Sequence, residues 1–182
     1  TITENMGTIS NRGFEINTDV DIFKNKDWTV NFSANASFIK NKIVELPEQD
    51  KDGIISGIYK IAEGKSRYEF FTYTYVGVDQ MTGNSLYKAN LENYHVTTAD
   101  GQTVGNADGN DISKYVTQIG NEYYVNNTSY ALKEYHGSAI PKVYGSFSPS
   151  VRYKDLSLSM MFTYSIGGKV YDAVYRSLMS TG

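Results

Sequence analysis

Apolar and polar residues alternate without exception over residues 28–38. Trp28, Val30, Phe32, Ala34, Ala36 and Phe38 fall on one side of an extended chain, and Thr29, Asn31, Ser33, Asn35 and Ser37 on the other. A period of two over this length predicts a strand with one face in an apolar medium and the other in a wet one. The same period runs through residues 14–22, where Phe14, Ile16, Thr18, Val20 and Ile22 alternate with Glu15, Asn17, Asp19 and Asp21. The segment between them, 23–27, predicts the turn of an antiparallel hairpin. A second pair follows near the other end. Val143, Gly145, Phe147, Pro149, Val151 and Tyr153 share one face, a turn falls at Lys154 and Asp155, and Leu156, Leu158, Met160, Phe162, Tyr164 and Ile166 continue that face on the return. Two residues break the pattern: Met161 stands on the polar side, and Pro149, which has no N–H, predicts a bulge or a local break in the ladder.

Strands of about ten residues are roughly 33 Å long and, tilted by about 45°, rise roughly 24 Å, which is the height of the apolar band of an outer-membrane barrel. The polar faces carry mainly Ser, Asn, Thr and Asp, small hydrogen-bonding side chains suited to a water-filled lumen. Trp28 and Tyr153 beside the short turns, and Phe38 and Tyr164 at the far ends, suit the two interfacial girdles. On this reading Phe14, Ile16, Trp28, Val30, Phe32, Phe38, Leu156, Leu158 and Phe162 face lipid, and Glu15, Asn17, Asn31 and Asn35 face the lumen. The alternative is a soluble surface β-sandwich binding glycans, in which the apolar faces of the hairpins meet each other.

The chain divides into a first hairpin at 8–39, a long extracellular loop at 40–141, a second hairpin at 142–168, and the start of a further loop at 169–182. Both short turns lie at one end and the long insertion at the other, the asymmetry of transmembrane barrels. Within the loop, residues 68–76 are aromatic on both faces and predict one strand covered on both sides. Residues 79–83 predict a turn and 85–88 a short strand. Gly, Asn, Asp and Thr dominate 97–113, which predicts a mobile loop. At the end of the chain Val170, Val174 and Leu178 share one helical face and Tyr171, Tyr175 and Met179 another, which predicts a short helix. Four membrane strands are too few to close a barrel, which needs at least about eight. With Thr1 as the opening residue and no aromatic residue at the end, the expectation is a piece of a longer protein.

Composition narrows the chemistry. The 182 residues include 16 Tyr and 8 Phe, with few of the commonest helix formers, so the expected class is all-β. A net charge of −3 gives no electrostatic case for nucleic acid. The lack of Cys removes disulfides and thiolate zinc sites, and no apolar run has the length of a membrane helix. His95 and His136 stand apart from any metal-spaced carboxylate. Asp100-Gly101 and Asp108-Gly109-Asn110-Asp111 offer oxygens without the spacing of a calcium loop, and read as turns. No nucleophile elbow or phosphate-binding glycine loop is present, so neither an enzyme nor a cofactor is expected. Tyr68, Tyr73, Tyr75 and Tyr87 are the candidate contacts to a substrate or a partner, offering a ring face and a hydroxyl, and they serve equally as packing for a loop sheet.

A series of short motifs carries a resemblance. Asn11-Arg12-Gly13-Phe14-Glu15 opens a strand, Asn41-Lys42-Ile43 closes the next, Glu63-Gly64 precedes an aromatic run, and Gly77-Val78-Asp79 comes with Thr82-Gly83. Later come Pro141-Lys142-Val143-Tyr144-Gly145, Tyr153-Lys154 and Gly167-Gly168-Lys169-Val170-Tyr171-Asp172. In this order the chain resembles the C-terminal half of the barrel in SusC/RagA-type TonB-dependent transporters of the Gram-negative outer membrane. The resemblance implies a segment of an antiparallel transmembrane barrel of the 22-stranded kind, with a plug and a TonB-contacting region outside this chain. It also implies a SusD-like surface lipoprotein as partner, and import of oligosaccharides or peptides.

Overall fold

The computed structural model describes residues 7–178. Two long strands open the chain, β1 (Thr8–Lys24) and β2 (Trp28–Glu45). Short strands follow: β3 (Ile54–Ser56), β4 (Tyr59–Ile61), β5 (Glu69–Tyr73), β6 (Tyr75–Val78), β7 (Ser85–Lys88), β8 (Tyr94–Thr97), β9 (Thr103–Gly105) and β10 (Asn110–Asp111). β11 (Val116–Ile119), β12 (Glu122–Val125) and β13 (Lys133–Ser138) complete the central region. β14 (Val143–Tyr153), β15 (Leu156–Ser159), β16 (Phe162–Ile166) and one short helix, α1 (Ala173–Leu178), close it. The fold is all-β; the strands of the large sheet pair antiparallel, and β10 pairs parallel with β8. Two compact units divide it, residues 7–70 with 137–178 and residues 71–136.

The first unit is built on one sheet in the order β1-β2-β14, with β15 and β16 both on the far side of β14. β1 and β2 pair with Phe14 opposite Phe38, Ile16 opposite Ala36 and Val20 opposite Phe32. A bulge at Ile22 sets Phe23 opposite Val30, so Phe23 belongs to the apolar face of a strand and not to the turn expected over 23–27. The turn itself is held by Asn25, whose Oδ1 accepts the N–H groups of Asp27 at 2.9 Å and Trp28 at 2.7 Å. β2 also runs past residue 39 to Glu45. The alternation is lost there because the environment changes: Ile43 is 2% exposed, and its backbone pairs with Lys65 and Gly64 at 2.8 and 2.9 Å.

β14 pairs with β2 in one register, from Val143 opposite Phe38 to Tyr153 opposite Trp28. The two hairpins are therefore neighbours in one sheet with their apolar residues on the same side, and this overturns the sandwich, which needs those faces opposed. No second layer covers the apolar side among the described residues: Phe14 is 58% exposed, Leu156 73% and Phe162 45%. β15 and β16 keep one register against β14, with Ser150 opposite Ser159 and Phe147 opposite Phe162. They are one strand interrupted across from Pro149. The Met160 N–H still donates to the Pro149 carbonyl at 3.1 Å, but Pro149 has no N–H to return, so the expected irregularity is a break without a bulge.

The second unit has its own core. Ala89, Val96, Ile112, Val125 and Ala131 are buried together, with Tyr73, Tyr87, Leu91, Tyr94 and Tyr130 packed around them. One sheet in the order β11-β12-β7-β6 and a second in the order β10-β8-β9 contribute to it. Two expectations fail here. Residues 68–76 are not one doubly covered strand: β5 ends at Tyr73, Thr74 donates its hydroxyl to Glu134 at 2.7 Å, and Tyr75 and Val76 in β6 are exposed. Residues 97–113 contain regular structure where a mobile loop is expected. They form β9 and β10 and end beside Ile112, which is 1% exposed at the centre of the core. Polar side chains hold this stretch: Thr98 bonds Gln102, Asn106 accepts the Asp108 N–H, and Asp111 accepts the Ser113 N–H at 2.8 Å. At the far end of the chain, Asp172 caps α1 by accepting the Tyr175 N–H at 2.7 Å. Val170, Val174 and Leu178 are exposed, and Met179 lies outside the described residues.

Candidate functional sites

Two surfaces carry groups able to bind something: the polar face of the large sheet and the aromatic surface of residues 71–136. On the sheet, the register sets polar residues in transverse rows. Glu15 stands beside Ser37 and Tyr144, Asn17 beside Asn35 and Ser146, and Asp21 beside Asn31 and Ser150. The four residues read from sequence as lumen-facing are therefore on one side of one sheet, opposite the apolar set. The side-chain hydrogen bonds of Glu15 and Asn31 run to other polar residues of the same face. Asn31 Nδ2 donates to Asp19 at 3.1 Å and Asp21 at 3.2 Å, and Ser37 Oγ donates to Glu15 at 3.3 Å.

Asn35 does something different. Its side chain joins the pairing at this row: Oδ1 accepts the Ser146 N–H at 3.1 Å, and Nδ2 donates to Ser146 Oγ at 2.8 Å. Its own carbonyl accepts the Tyr164 hydroxyl at 2.9 Å from the opposite face. Tyr164 can reach across because Gly145 lies between them; a Cβ at Gly145 would strike the Asn35 carbonyl and the Tyr164 hydroxyl. Asn17 stands on the same row, exposed like Asn35.

The apolar set faces the other way as one continuous surface. Phe14 stacks on Phe38 with centroids 4.4 Å apart, Trp28 meets Tyr153 at 4.4 Å, and Phe147 stacks on Phe162 at 4.9 Å. Ile16, Val30, Phe32, Leu156 and Leu158 fill the rows between them.

The four tyrosines named from sequence do not form one site. Tyr73, Tyr75 and Tyr87 come together, with Tyr87 edge-on to Tyr73 at 6.1 Å and to Tyr75 at 6.0 Å, and Lys133 Nζ lies 5.0 Å from the Tyr73 ring. Tyr73 and Tyr87 also pack on the core, and only Tyr75 is freely exposed, at 53%. Tyr68 belongs elsewhere, edge-on to Tyr59 at 5.8 Å. The structure adds a group that periodicity did not single out, Tyr94, Tyr115 and Tyr130. Tyr130 stacks on Tyr115 at 4.9 Å and meets Tyr94 edge-on at 5.4 Å. Burial and the neighbouring tyrosine hydroxyls raise the Tyr130 phenol above its ordinary pKa. No local pattern links three residues drawn from three separate segments.

The polar candidates of the loop serve turns. His95 Nδ1 lies 2.9 Å from the Gly109 carbonyl and His136 Nε2 lies 3.2 Å from the Thr72 carbonyl. Asp111 is held below the usual carboxylate range by Ser113, which donates both its hydroxyl and its N–H, and by Thr97. Asp79 is held low in the same way by the Met81 N–H and the Thr82 hydroxyl. Glu63 is held low by the Leu46 N–H at 2.8 Å and by Lys51 at 3.0 Å.

No protein-family profile matches the chain. Two curated proteins of Formosa agariphila do. TonB-dependent receptor P39 is 26% identical over 190 residues, covering 93% of this chain and 18% of its own length. TonB-dependent receptor P3 is 25% identical over 185 residues, covering 97% and 17%. The chain thus spans less than a fifth of the length of these relatives. Among solved structures, the RagAB peptide transporter matches with a TM-score of 0.58 at 24% identity over 90% of this chain and 16% of its own. The RagAB importer in its open-open state matches with a TM-score of 0.57 at 23% identity. None of these relatives is named as an enzyme. With the motifs in order along an all-β chain and similarity over nearly its whole length, the chain is similar to a segment of TonB-dependent receptors and shares the fold of a segment of the RagAB transporter.

Proposed function

We propose that this chain forms part of the wall and extracellular loops of a 22-stranded outer-membrane barrel. The complete protein imports oligosaccharides or peptides with a SusD-like lipoprotein, using energy relayed by TonB through regions outside this chain. The observation that carries the reading is the large sheet itself. One face is apolar and uncovered, the other is lined by small polar side chains, and both short turns lie at one end. β1 has 17 residues, about 56 Å of chain, or roughly 40 Å of height at a 45° tilt. That exceeds an apolar band of about 25 Å, and the apolar rows end at Phe14 and Phe38. The strand tops beyond those rows then stand outside the membrane, carrying residues 46–141 as the extracellular loop. In this reading Phe14, Ile16, Trp28, Val30, Phe32, Phe38, Leu156, Leu158 and Phe162 contact lipid, and Glu15, Asn17, Asn31 and Asn35 line the lumen. The tyrosines of residues 71–136 meet cargo or lipoprotein. The peptide cargo of the RagAB neighbour supports peptides as one of the two cargo classes.

The test places a charge on each face of the intact receptor. Phe32→Arg costs about 2–4 kcal/mol at the bilayer midplane and depletes the heat-modifiable folded barrel from the outer membrane. Ser33→Arg, on the polar face, leaves assembly unchanged. Equal assembly of the two variants overturns the proposal.

A further inference from the structure

The apolar face of the large sheet ends abruptly in positive charge. Phe14 and Phe38 are the last apolar pair on that face, and the next pair along the same face, about 7 Å further on, is Arg12 directly opposite Lys40. The pair after that is Ser10 opposite Lys42. All three cations are exposed, no carboxylate shares their face in these rows, and none of the three forms an ion pair among the described residues. Like charges directly across a strand pair repel and cost stability. An anion between the two side chains relieves that repulsion. Arg12, Phe14, Phe38 and Lys40 also line one shallow depression, to which Lys142 contributes from the start of β14. Chain of both kinds, ring edges below and cations above, is therefore offered to a single occupant.

Given the lipid-facing reading of this sheet, on which the inference rests, that occupant is defined by height. The short turns mark the periplasmic end, so the cations sit at the outer edge of the apolar band, where acyl chains give way to head groups. We infer that Arg12 and Lys40 clamp a phosphate of an outer-leaflet lipid head group, with its acyl chains lying on Phe14 and Phe38. The guanidinium of Arg12 presents paired donors to two phosphate oxygens, and the Lys40 ammonium supplies a point charge to the same group. Lys42, one row further out, faces a second phosphate or a sugar of the same head group.

The experiment uses the intact receptor, purified in detergent and stripped of native lipid, with retained lipid counted by native mass spectrometry. Wild type retains a bis-phosphorylated lipid A at least about tenfold better than the same lipid after dephosphorylation, since each of the two cations beside an anionic group contributes about fivefold. R12Q/K40Q loses that preference while keeping heat-modifiable migration, and R12K/K40R, which preserves both charges, keeps the preference. Equal retention of the two lipids by wild type, or an undiminished preference in R12Q/K40Q, overturns the inference. Displacement of the lipid by millimolar inorganic phosphate also overturns it, because the site then recognises a free anion. Failure here with a normal Phe32→Arg result removes the clamp alone, whereas equal assembly of Phe32→Arg and Ser33→Arg removes the lipid-facing reading beneath it.

Discussion

The large sheet and residues 71–136 solve the same problem in opposite ways. In the sheet, Phe14, Leu156 and Leu158 are each more than half exposed, and no described residue covers them. On the proposed reading, lipid outside the chain completes its apolar rows. In residues 71–136, Val125 and Ile112 are 0% and 1% exposed, and the tyrosines close over them. The first region borrows its apolar environment and the second builds its own. Stability of the loop unit is therefore a property of the polypeptide, while that of the sheet is a property of polypeptide and surroundings together.

A core deletion separates the two most sharply. Ile112→Ala removes a side chain with no exposed surface to fall back on and costs about 2–5 kcal/mol, a large share of what a unit this small holds. In the intact receptor, amide exchange within 71–136 accelerates and surface protease cuts there, while the folded barrel remains. Simultaneous loss of the folded barrel would show that the two regions do not stabilise themselves separately.

The same contrast explains what was legible in the sequence. Alternation over residues 28–38 and 143–153 is visible because each residue's medium is decided locally, by which side of the strand it occupies. The pairing of Ile43 with Gly64 and Lys65 was not visible, because it is made by main chain from a distant segment. The order in 97–113 was missed for a related reason. Asn, Asp and Thr read as flexible in composition, yet here they close Asx and hydroxyl turns, and the one large apolar residue among them, Ile112, sits in the core. For the candidate sites, the shared polar face of Glu15, Asn17, Asn31 and Asn35 follows from parity, whereas Tyr94, Tyr115 and Tyr130 converge only in three dimensions. The motifs that carry the family resemblance turn out to be fastenings. Asn41 accepts the Arg67 N–H, Glu63 accepts the Leu46 N–H, Asp79 ties Met81 and Thr82, and Asp172 caps α1.

Acid is a gentler way to divide the regions. Asp79, Asp111 and Glu134 all titrate below their ordinary values because hydroxyl, N–H and Lys88 partners favour the carboxylate. A depressed folded pKa contributes stability above the unfolded pKa and loses it as pH falls through the folded value. Protease sensitivity of 71–136 therefore rises from about pH 4.5 downward, by less than Ile112→Ala produces, since these groups are largely solvated. Removing the three carboxylates (Asp79→Asn, Asp111→Asn and Glu134→Gln) flattens that pH dependence. A variant that keeps the full acid response would assign it to other groups.

The smallest expected effect tests how the sheet tolerates Gly145. Tyr164 crosses over Gly145 to donate its hydroxyl to the Asn35 carbonyl, while the Asn35 side chain accepts the Ser146 N–H. Tyr164→Phe leaves the ring over Gly145 and removes only the donor, so the cost is about 0.5–1.5 kcal/mol. Hydrogen bonds within a membrane average nearer the low end, about 0.6 kcal/mol. Asn35→Ala in the same background separates two possibilities. If the carbonyl is turned toward Tyr164 because the side chain displaced it, losing the side chain lets Ser146 return to the carbonyl, and Tyr164→Phe then costs nothing further. Additive costs in the double variant would mean that Tyr164 holds the carbonyl independently of Asn35's side chain, and that the apolar face by itself shapes the ladder at this row.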